Sequence, residues 1–72
     1  MISVKRIKEV LKALAEERKY VRIYYVVSDS GIADNDEGFI VRVEDDLVVL
    51  KTVDDVFVYV SNVLIYKIEE LK

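Results

Sequence analysis

The 72-residue chain contains no histidine, cysteine, proline or tryptophan, and it has only two glycines. The absence of cysteine and histidine excludes disulfide bonds, thiolate zinc sites, thiol nucleophiles and imidazole bases. Most familiar catalytic constellations are therefore excluded as well. We expect no enzymatic activity, no cofactor, no bound metal and no small-molecule substrate.

The absence of proline matters most in the second half of the chain. Val56–Val60 and Val63–Ile68 carry apolar or aromatic side chains on both faces, whereas strict alternation would indicate one solvated face. A sheet edge of this kind normally carries a proline, an inward charge or a bulge that prevents self-pairing. A chain this small cannot cover both faces with its own layers, so we expect partner subunits to cover these two strands.

Length and composition indicate one globular domain over residues 1–72. The chain is 53% hydrophobic and 35% charged, so few positions remain for the neutral polar residues that are typical of disordered chains. A domain of this size has a marginally stable core unless metals, disulfides or association help. Because this chain has no cysteine or histidine, oligomerisation is the remaining way to stabilise its core.

Net charge and apolar run length limit the possible partners. A net charge of −3 argues against broad attraction to phosphates, because nonspecific nucleic-acid affinity depends on clustered lysine and arginine. Any RNA binding must therefore be local. No apolar run approaches the ~20 residues that are needed to span a bilayer, and the N-terminal segment lacks a signal-type core. We expect a cytoplasmic protein without a membrane partner.

One amphipathic helix is predicted over residues 4–17, with Ser3 as its cap. Apolar residues recur at three- and four-residue spacing at Val4, Ile7, Val10, Leu11 and Leu14. The helix charges oppose the macrodipole, because lysine and arginine lie in the first turns and glutamates at the end. We interpret them as solvated charges, and the alternative is a basic patch of Lys5, Arg6 and Lys8.

Five short strands are predicted after the helix. Residues 28–37 hold most of the turn-forming residues and one glycine, so we predict a mobile loop there. Glu44–Asp46 predicts either a turn between two strands or a bend within one long strand, and we favour the bend. The strands are predicted at residues 21–27, 38–44, 47–51, 55–61 and 63–70.

The predicted loop carries four carboxylates, at Asp29, Asp34, Asp36 and Glu37. Carboxylate oxygens are ligands for hard cations such as calcium. The spacing is not that of an EF-hand, because the further ligand before Gly38 and the distant glutamate are missing. We therefore favour a solvated acidic loop over a cation site.

Three segments resemble a known family. Leu11–Val26 is similar to the helix end and first strand of Hfq, the bacterial Sm-like RNA chaperone family. Gly38–Lys51 resembles the second and third strands of that family, with the glycine opening the second strand, and Val58-Tyr59 resembles the start of the second Sm motif. The resemblance implies an Sm-like small barrel, which is SH3-like and contains five bent antiparallel strands after a helix.

The same resemblance implies a homo-oligomeric ring, and six subunits is the number that Hfq implies. We expect the ring to form by pairing of Val56–Val60 in one subunit with Val63–Ile68 in the next. The partner is then a second copy of the chain itself. The residues expected at the interface are Val56, Val58, Val60, Val63 and Ile65.

The resemblance further implies contacts to single-stranded RNA. Tyr24 matches the distal-face tyrosine that stacks purines, and packing in the core or an interface is its alternative role. Asn62 matches a glycine of Sm proteins, so we expect it to adopt a left-handed backbone conformation. For Arg18 the alternative is a solvated charge at the helix end. The implied RNA contacts are Arg18, Lys19, Tyr24, Gly31, Ile32, Ser61 and Asn62.

Two hypotheses for the function follow. At the ring pore, Val60 and Ser61 stand where Hfq has the lysine and histidine that hold uridine-rich RNA. The first hypothesis is a ring that binds single-stranded RNA, as an RNA chaperone or elsewhere in RNA metabolism. The second is an oligomeric structural or protein-interaction module that has lost RNA binding. The matches outside the pore favour the first hypothesis by a small margin.

Overall fold

A computed structural model describes residues 4–27 and 31–71, and this part of the chain forms one α-helix followed by a five-stranded antiparallel sheet. The mostly β class with an N-terminal helix is therefore confirmed. A short 3-10 helix, η1, spans Asn62–Leu64 and joins the last two strands. Helix α1 spans Val4–Glu16, and strands β1 to β5 span Tyr20–Val26, Ala33–Val43, Leu47–Lys51, Phe57–Ser61 and Ile65–Leu71.

The strand order determines which backbones remain unpaired. The order in the sheet is β4-β3-β2-β1-β5, and each neighbouring pair is antiparallel. Within the described residues, β4 pairs only with β3, and β5 pairs only with β1. The sheet of these residues therefore ends in two edge strands, β4 and β5, each with a row of outward backbone N–H and C=O groups.

The connection between the two edge strands shows that the sheet is curved. Only η1 separates β4 from β5 along the chain, although three strands lie between them in the sheet. A flat sheet would place these edges about 19 Å apart, at about 4.8 Å per spacing. The four Cα steps from Ser61 to Ile65 span at most about 14 Å, and less in a 3-10 helix. The two edges therefore approach each other at η1.

Strand β2 begins at Ala33, so the predicted loop over residues 28–37 is largely wrong. Residues 33–37 pair with β1, in a register that places Val26 opposite Ala33. Pairing satisfies the backbone groups of this polar segment, and exposed polar side chains are tolerated on a solvated strand face. Residues 28–30 of the predicted loop lie outside the described residues.

The segment Glu44–Asp46 is a turn between two strands, and the bend that we favoured is wrong. The backbone N–H of Glu44 donates to the carbonyl oxygen of Leu47 at 2.8 Å, and β2 and β3 run antiparallel. An irregularity lies earlier in β2, where the register shifts between Ile40 and Arg42. A bulge of this kind adds local twist to a strand.

Gly38 lies inside β2 rather than at its start, and its position requires a glycine. A Cβ atom at residue 38 would lie 2.4 Å from the carbonyl oxygen of Lys51 in β3. That distance is far below van der Waals contact, so any other side chain would push the two strands apart. Gly38 therefore permits the close approach of β2 and β3.

Helix α1 covers one face of the sheet, and the predicted helix over residues 4–17 agrees with it to within one residue. The apolar stripe of the helix belongs to one core cluster that contains side chains from all five strands. No helix in the described residues is long and apolar enough to cross a membrane. The buried core contains Ile7, Leu11, Val21, Ile23, Ile40, Val48, Leu50, Val60 and Ile65.

The helix ends in a Schellman motif that is built without glycine. The N–H of Lys19 donates to the Leu14 carbonyl, and the N–H of Arg18 donates to the Ala15 carbonyl, both at 3.1 Å. Arg18 has a φ of +55°, which is the left-handed region that this motif requires. Arg18 therefore holds a backbone conformation that glycine adopts at lower cost.

Candidate functional site

Both edge strands expose aromatic side chains. In β4, Phe57 and Tyr59 are 55% and 64% exposed on the sheet face opposite α1, which we call the outer face. Tyr59 lies opposite Val49 of β3, whose side chain is buried beneath this face. In β5, Tyr66 is 55% exposed. Each edge therefore combines outward backbone groups with at least one exposed ring.

The five residues predicted at the subunit interface fall into two groups. Val56 and Val63 are 54% and 68% exposed, and Val58 is half-buried. The side chains of Val60 and Ile65 lie in the core of the chain, so the predicted part of these two residues in strand pairing stays a prediction for their backbone groups. They point toward α1 because every second residue of a strand faces the core. Only their backbone groups belong to the edges.

The exposed aromatic residues of the edges were missed by the sequence analysis. Phe57, Tyr59 and Tyr66 were grouped with their apolar neighbours because both faces of these strands are apolar. The signal that could have found them is the two-residue period of a strand. Once Val60 is assigned to the core, Phe57 and Tyr59 must face outward.

Asn62 is fully buried, so its predicted contact with RNA requires correction. Its backbone N–H and Nδ2 donate to carbonyl oxygens of the Glu44–Asp46 turn at 2.9 to 3.4 Å. Its Oδ1 has no hydrogen-bond partner among the described residues. The non-glycine residues with positive φ in the described chain are Arg18 and Asp55, so the predicted left-handed conformation is wrong. Asn62 fastens η1 to the turn between β2 and β3.

Tyr24 belongs to a polar network on the outer face. Its hydroxyl donates to Glu69 Oε1 at 2.9 Å and accepts from Arg22 Nη1 at 3.3 Å. Arg22 also donates from Nη2 to Glu37 Oε1 at 2.7 Å. Lys67 Nζ lies 5.0 Å from the centroid of the Tyr24 ring. A nucleotide base could stack on this ring face only after Lys67 moves.

The other residues predicted to contact RNA do not form one site. Arg18 is exposed and Lys19 is half-buried just before β1, whereas Gly31 and Ile32 are exposed just before β2. These two pairs lie near opposite ends of β1, about 20 Å apart at about 3.3 Å per residue. Ser61 is half-buried at the end of β4. A short RNA strand could therefore contact only part of the set within one subunit.

A groove of about 470 Å³ lies between α1 and β5. Val10 in its helical wall is 40% exposed, which is unusual for a valine beside the core. The groove is mainly apolar, with two positive charges among its lining residues. Its apolar walls are formed by Ile7, Val10, Ile65 and Ile68, with Arg6 and Lys67 as the charged residues.

The outer face carries further exposed rings next to paired cations. Phe39 is 48% exposed and meets the Tyr20 ring edge-on, with centroids 5.1 Å apart. Arg42 Nε lies 2.6 Å from Glu44 Oε2, so this cation is already neutralised within the chain. A depression of about 250 Å³ is lined here by Val41, Arg42, Val49, Phe57 and Tyr59.

Two carboxylates of the predicted acidic loop, Asp36 and Glu37, bind side chains of the neighbouring strand β1. The Tyr25 hydroxyl donates to Asp36 Oδ2 at 2.5 Å, and burial together with this hydrogen bond raises the pKa of Tyr25. Glu37 pairs with Arg22 in the network described above. The described residues contain no group of three or more acidic side chains placed to hold a metal ion, and Asp29 lies outside them.

Comparison with known proteins identifies no relative. No protein-family model, curated protein or solved structure gives a significant match to this chain. The function is therefore argued from the geometry of the edges, the groove and the outer face.

Proposed function

We propose that this chain is an Sm-like, ring-forming subunit and that the ring serves as a structural or protein-interaction module. The observation that carries the proposal is the placement of β4 and β5 at the two ends of one curved sheet. In the proposed assembly, β4 of one subunit continues the sheet of the next subunit beside its β5. Each subunit then joins two neighbours through two different edges.

Curvature and exposed rings support a closed assembly. Contacts between two different surfaces generate a ring when the rotation between subunits closes, and a filament when it does not. The approach of the two edges at η1 curves the sheet, and a curved sheet is what the proposed small barrel requires. Pairing also places side chains of a neighbouring strand beside Phe57, Tyr59 and Tyr66, which are more than half exposed in the single chain. Six subunits is the number that the resemblance of Leu11–Val26 to Hfq implies.

Sedimentation equilibrium over a wide concentration range tests this proposal. A closed ring is expected to give one discrete mass that persists on dilution, because every subunit makes two contacts. A filament is expected to give masses that increase continuously with concentration. A monomer with native secondary structure at all concentrations would falsify the proposal.

Single-stranded RNA binding is the second candidate function, and the exposed rings of the outer face favour it. Proteins that bind single strands stack bases on aromatic side chains beside positive groups. Phe57 and Tyr59 lie in the same depression as Arg42. The net charge of −3 and the pairing of Arg42 with Glu44 weigh against phosphate binding. The geometry therefore supports the interaction module better.

Fluorescence anisotropy with uridine-rich and adenine-rich oligomers separates the two candidates. The experiment uses the assembled wild-type protein across a salt series. RNA binding, if it is the function, is expected to weaken steadily as salt rises, because phosphate contacts release counterions. If either oligomer binds, RNA binding becomes the better-supported function and the interaction module is rejected. No binding at the lowest salt concentration would remove the RNA candidate.

A further inference from the structure

Exposed apolar side chains of three neighbouring strands lie together on the outer face. Directly paired residues of neighbouring strands present their side chains on the same face. Lys51 lies opposite Phe39 on one side and Phe57 on the other, so these two rings share the outer face. Val41 and Tyr59 line the depression on the same face. We call these four apolar residues, Phe39, Val41, Phe57 and Tyr59, the outer patch, and each is between 48% and 64% exposed.

The charges within the outer patch are already paired. In the strand segments that carry the patch, which are β2 from Phe39 onward, β3 and β4, the charged residues are Arg42 and Lys51. Arg42 Nε lies 2.6 Å from Glu44 Oε2, and Lys51 Nζ lies 3.4 Å from Asp55 Oδ1. A second copy of this surface therefore meets it without like-charge repulsion, whereas an acidic partner finds no unpaired cation there.

The shape of the outer patch suits contact with a copy of itself. In a twofold dimer the same surface faces itself, so it must contain both parts of the contact. The patch combines exposed rings with a depression of about 250 Å³. The Phe39 ring is exposed beside this depression and does not line it. A twofold axis between them places the Phe39 ring of each copy against the depression of the other.

The exposed area of the outer patch is sufficient for a dimer contact. A fully covered aromatic side chain buries about 150–250 Å², so three rings that are about half exposed supply roughly 300 Å² per copy. Val41 and the side chains of Arg42 and Lys51 add a comparable area, since these two cations are 62% and 46% exposed. Two facing patches therefore bury roughly 1,000 Å², which is the area that a specific interface requires.

We infer that the outer patch binds the outer patch of a second copy of this chain across a twofold axis. The contact covers the rings that α1 leaves exposed on the far side of the sheet. It does not depend on the pairing of β4 with β5, because Phe39 and Val41 lie in β2, the central strand. In the proposed ring, each subunit keeps both edges for its ring neighbours and binds a subunit of a second ring through its outer face.

Opposite charges at one position of the outer patch test the inference. Val41→Lys and Val41→Glu each place two like charges in the twofold contact, so each variant alone is expected to lose it. Each copy makes one contact of this kind, so its loss is expected to halve the mass of a closed assembly in sedimentation equilibrium. A 1:1 mixture of the two variants brings opposite charges together and is expected to restore the wild-type mass.

The same substitutions at Asn35 are the matched control. Asn35 is exposed on the same strand and lies opposite Tyr24, so its side chain is on the outer face as well. It is six residues from Val41, which is about 20 Å along the strand and outside the patch. Asn35→Lys and Asn35→Glu are therefore expected to keep the wild-type mass. Far-ultraviolet circular dichroism checks the fold of every variant, and Phe39→Lys with Phe39→Glu replaces the Val41 pair if the latter does not fold.

The outcomes separate this inference from the proposed function. A monomeric wild-type protein overturns both. An assembly whose mass the Val41 variants leave unchanged overturns the face contact and leaves the strand pairing in place. A wild-type dimer that becomes monomeric in both variants and reforms in their mixture supports the face contact and rejects the ring. A halved mass without recovery in the mixture overturns the twofold contact, and so does oligonucleotide binding that Val41→Glu abolishes, because it assigns the patch to RNA.

Discussion

The two faces of the sheet differ in what covers them. On the face beneath α1, Val21, Ile23 and Leu50 have no exposed surface. On the outer face, Phe57 and Tyr59 remain more than half exposed. In β4 apolar side chains lie on both faces, so hydrophobicity alone does not distinguish the two faces there. The described residues supply one 13-residue α-helix as a covering layer, and that is enough for only one face.

The largest expected effect is on the covered face, where Leu11 is fully buried. Leu11→Ala removes three buried carbons and leaves a cavity, so we expect the free energy of unfolding to fall by about 3 kcal/mol. Urea denaturation followed by circular dichroism measures this change. A loss below about 1 kcal/mol would show that α1 is not a tightly packed cover.

Neighbouring residues of β4 give the most direct contrast between the faces. Val58→Lys places a charge toward the core and is expected to lower the stability of the dissociated chain by at least about 2 kcal/mol. Tyr59→Lys places the same charge on the outer face, so a change below about 0.5 kcal/mol is expected. Both variants are expected to weaken assembly in sedimentation experiments. Equal losses of stability in the two variants would contradict the assignment of faces.

A smaller effect, in the opposite direction, is expected at the end of α1. Arg18→Gly relieves the left-handed backbone conformation, so we expect a gain in stability of about 1 kcal/mol. Lys19→Gly is the control, because Lys19 has no positive φ and glycine gives no such relief there. Thermal melts of both variants make the comparison. A loss of stability in Arg18→Gly would mean that the Arg18 side chain contributes more free energy to the fold than its left-handed backbone conformation costs.

The smallest effect concerns the ion pair that joins α1 to the turn between β2 and β3. The hydrogen bond from Lys8 lowers the pKa of the Asp45 carboxyl. A carboxyl with a lowered folded pKa stabilises the fold above its unfolded pKa of about 3.9, and this contribution disappears as the pH falls through the folded value. The Tm of wild type is therefore expected to fall more steeply below about pH 4 than that of Asp45→Asn. Parallel pH profiles would show that the pair contributes nothing.

Much of the fold could be predicted because its apolar residues follow a clear period. Ile7 and Leu11 indicated the helix, and β3 has the bounds that its unbroken apolar run predicted, residues 47–51. The start of β2 could not be predicted from Asp34 and Asn35, because their polarity is also typical of turns. Pairing with β1 overrides that local preference.

Less of the candidate site could be predicted. The sequence indicated that the last two strands are the most apolar and the most prone to pair with another strand. The structure places both at sheet edges. The two-residue period places Tyr59 and Val60 on opposite faces, but the sequence could not indicate which face is buried, because both side chains are apolar enough for a core. The burial of Asn62 was also hidden, since its partners are backbone carbonyls of a turn that is distant in sequence.

The contact of Asn62 has a consequence for the size of any ring that these subunits form. In the proposed ring, the angle between one neighbour and the next would depend on the corner inside each subunit where β4 passes into β5. A single buried amide holds that corner against the turn between β2 and β3. Loosening the corner by Asn62→Ala would therefore produce circles of mixed diameter while leaving the strength of each junction unchanged.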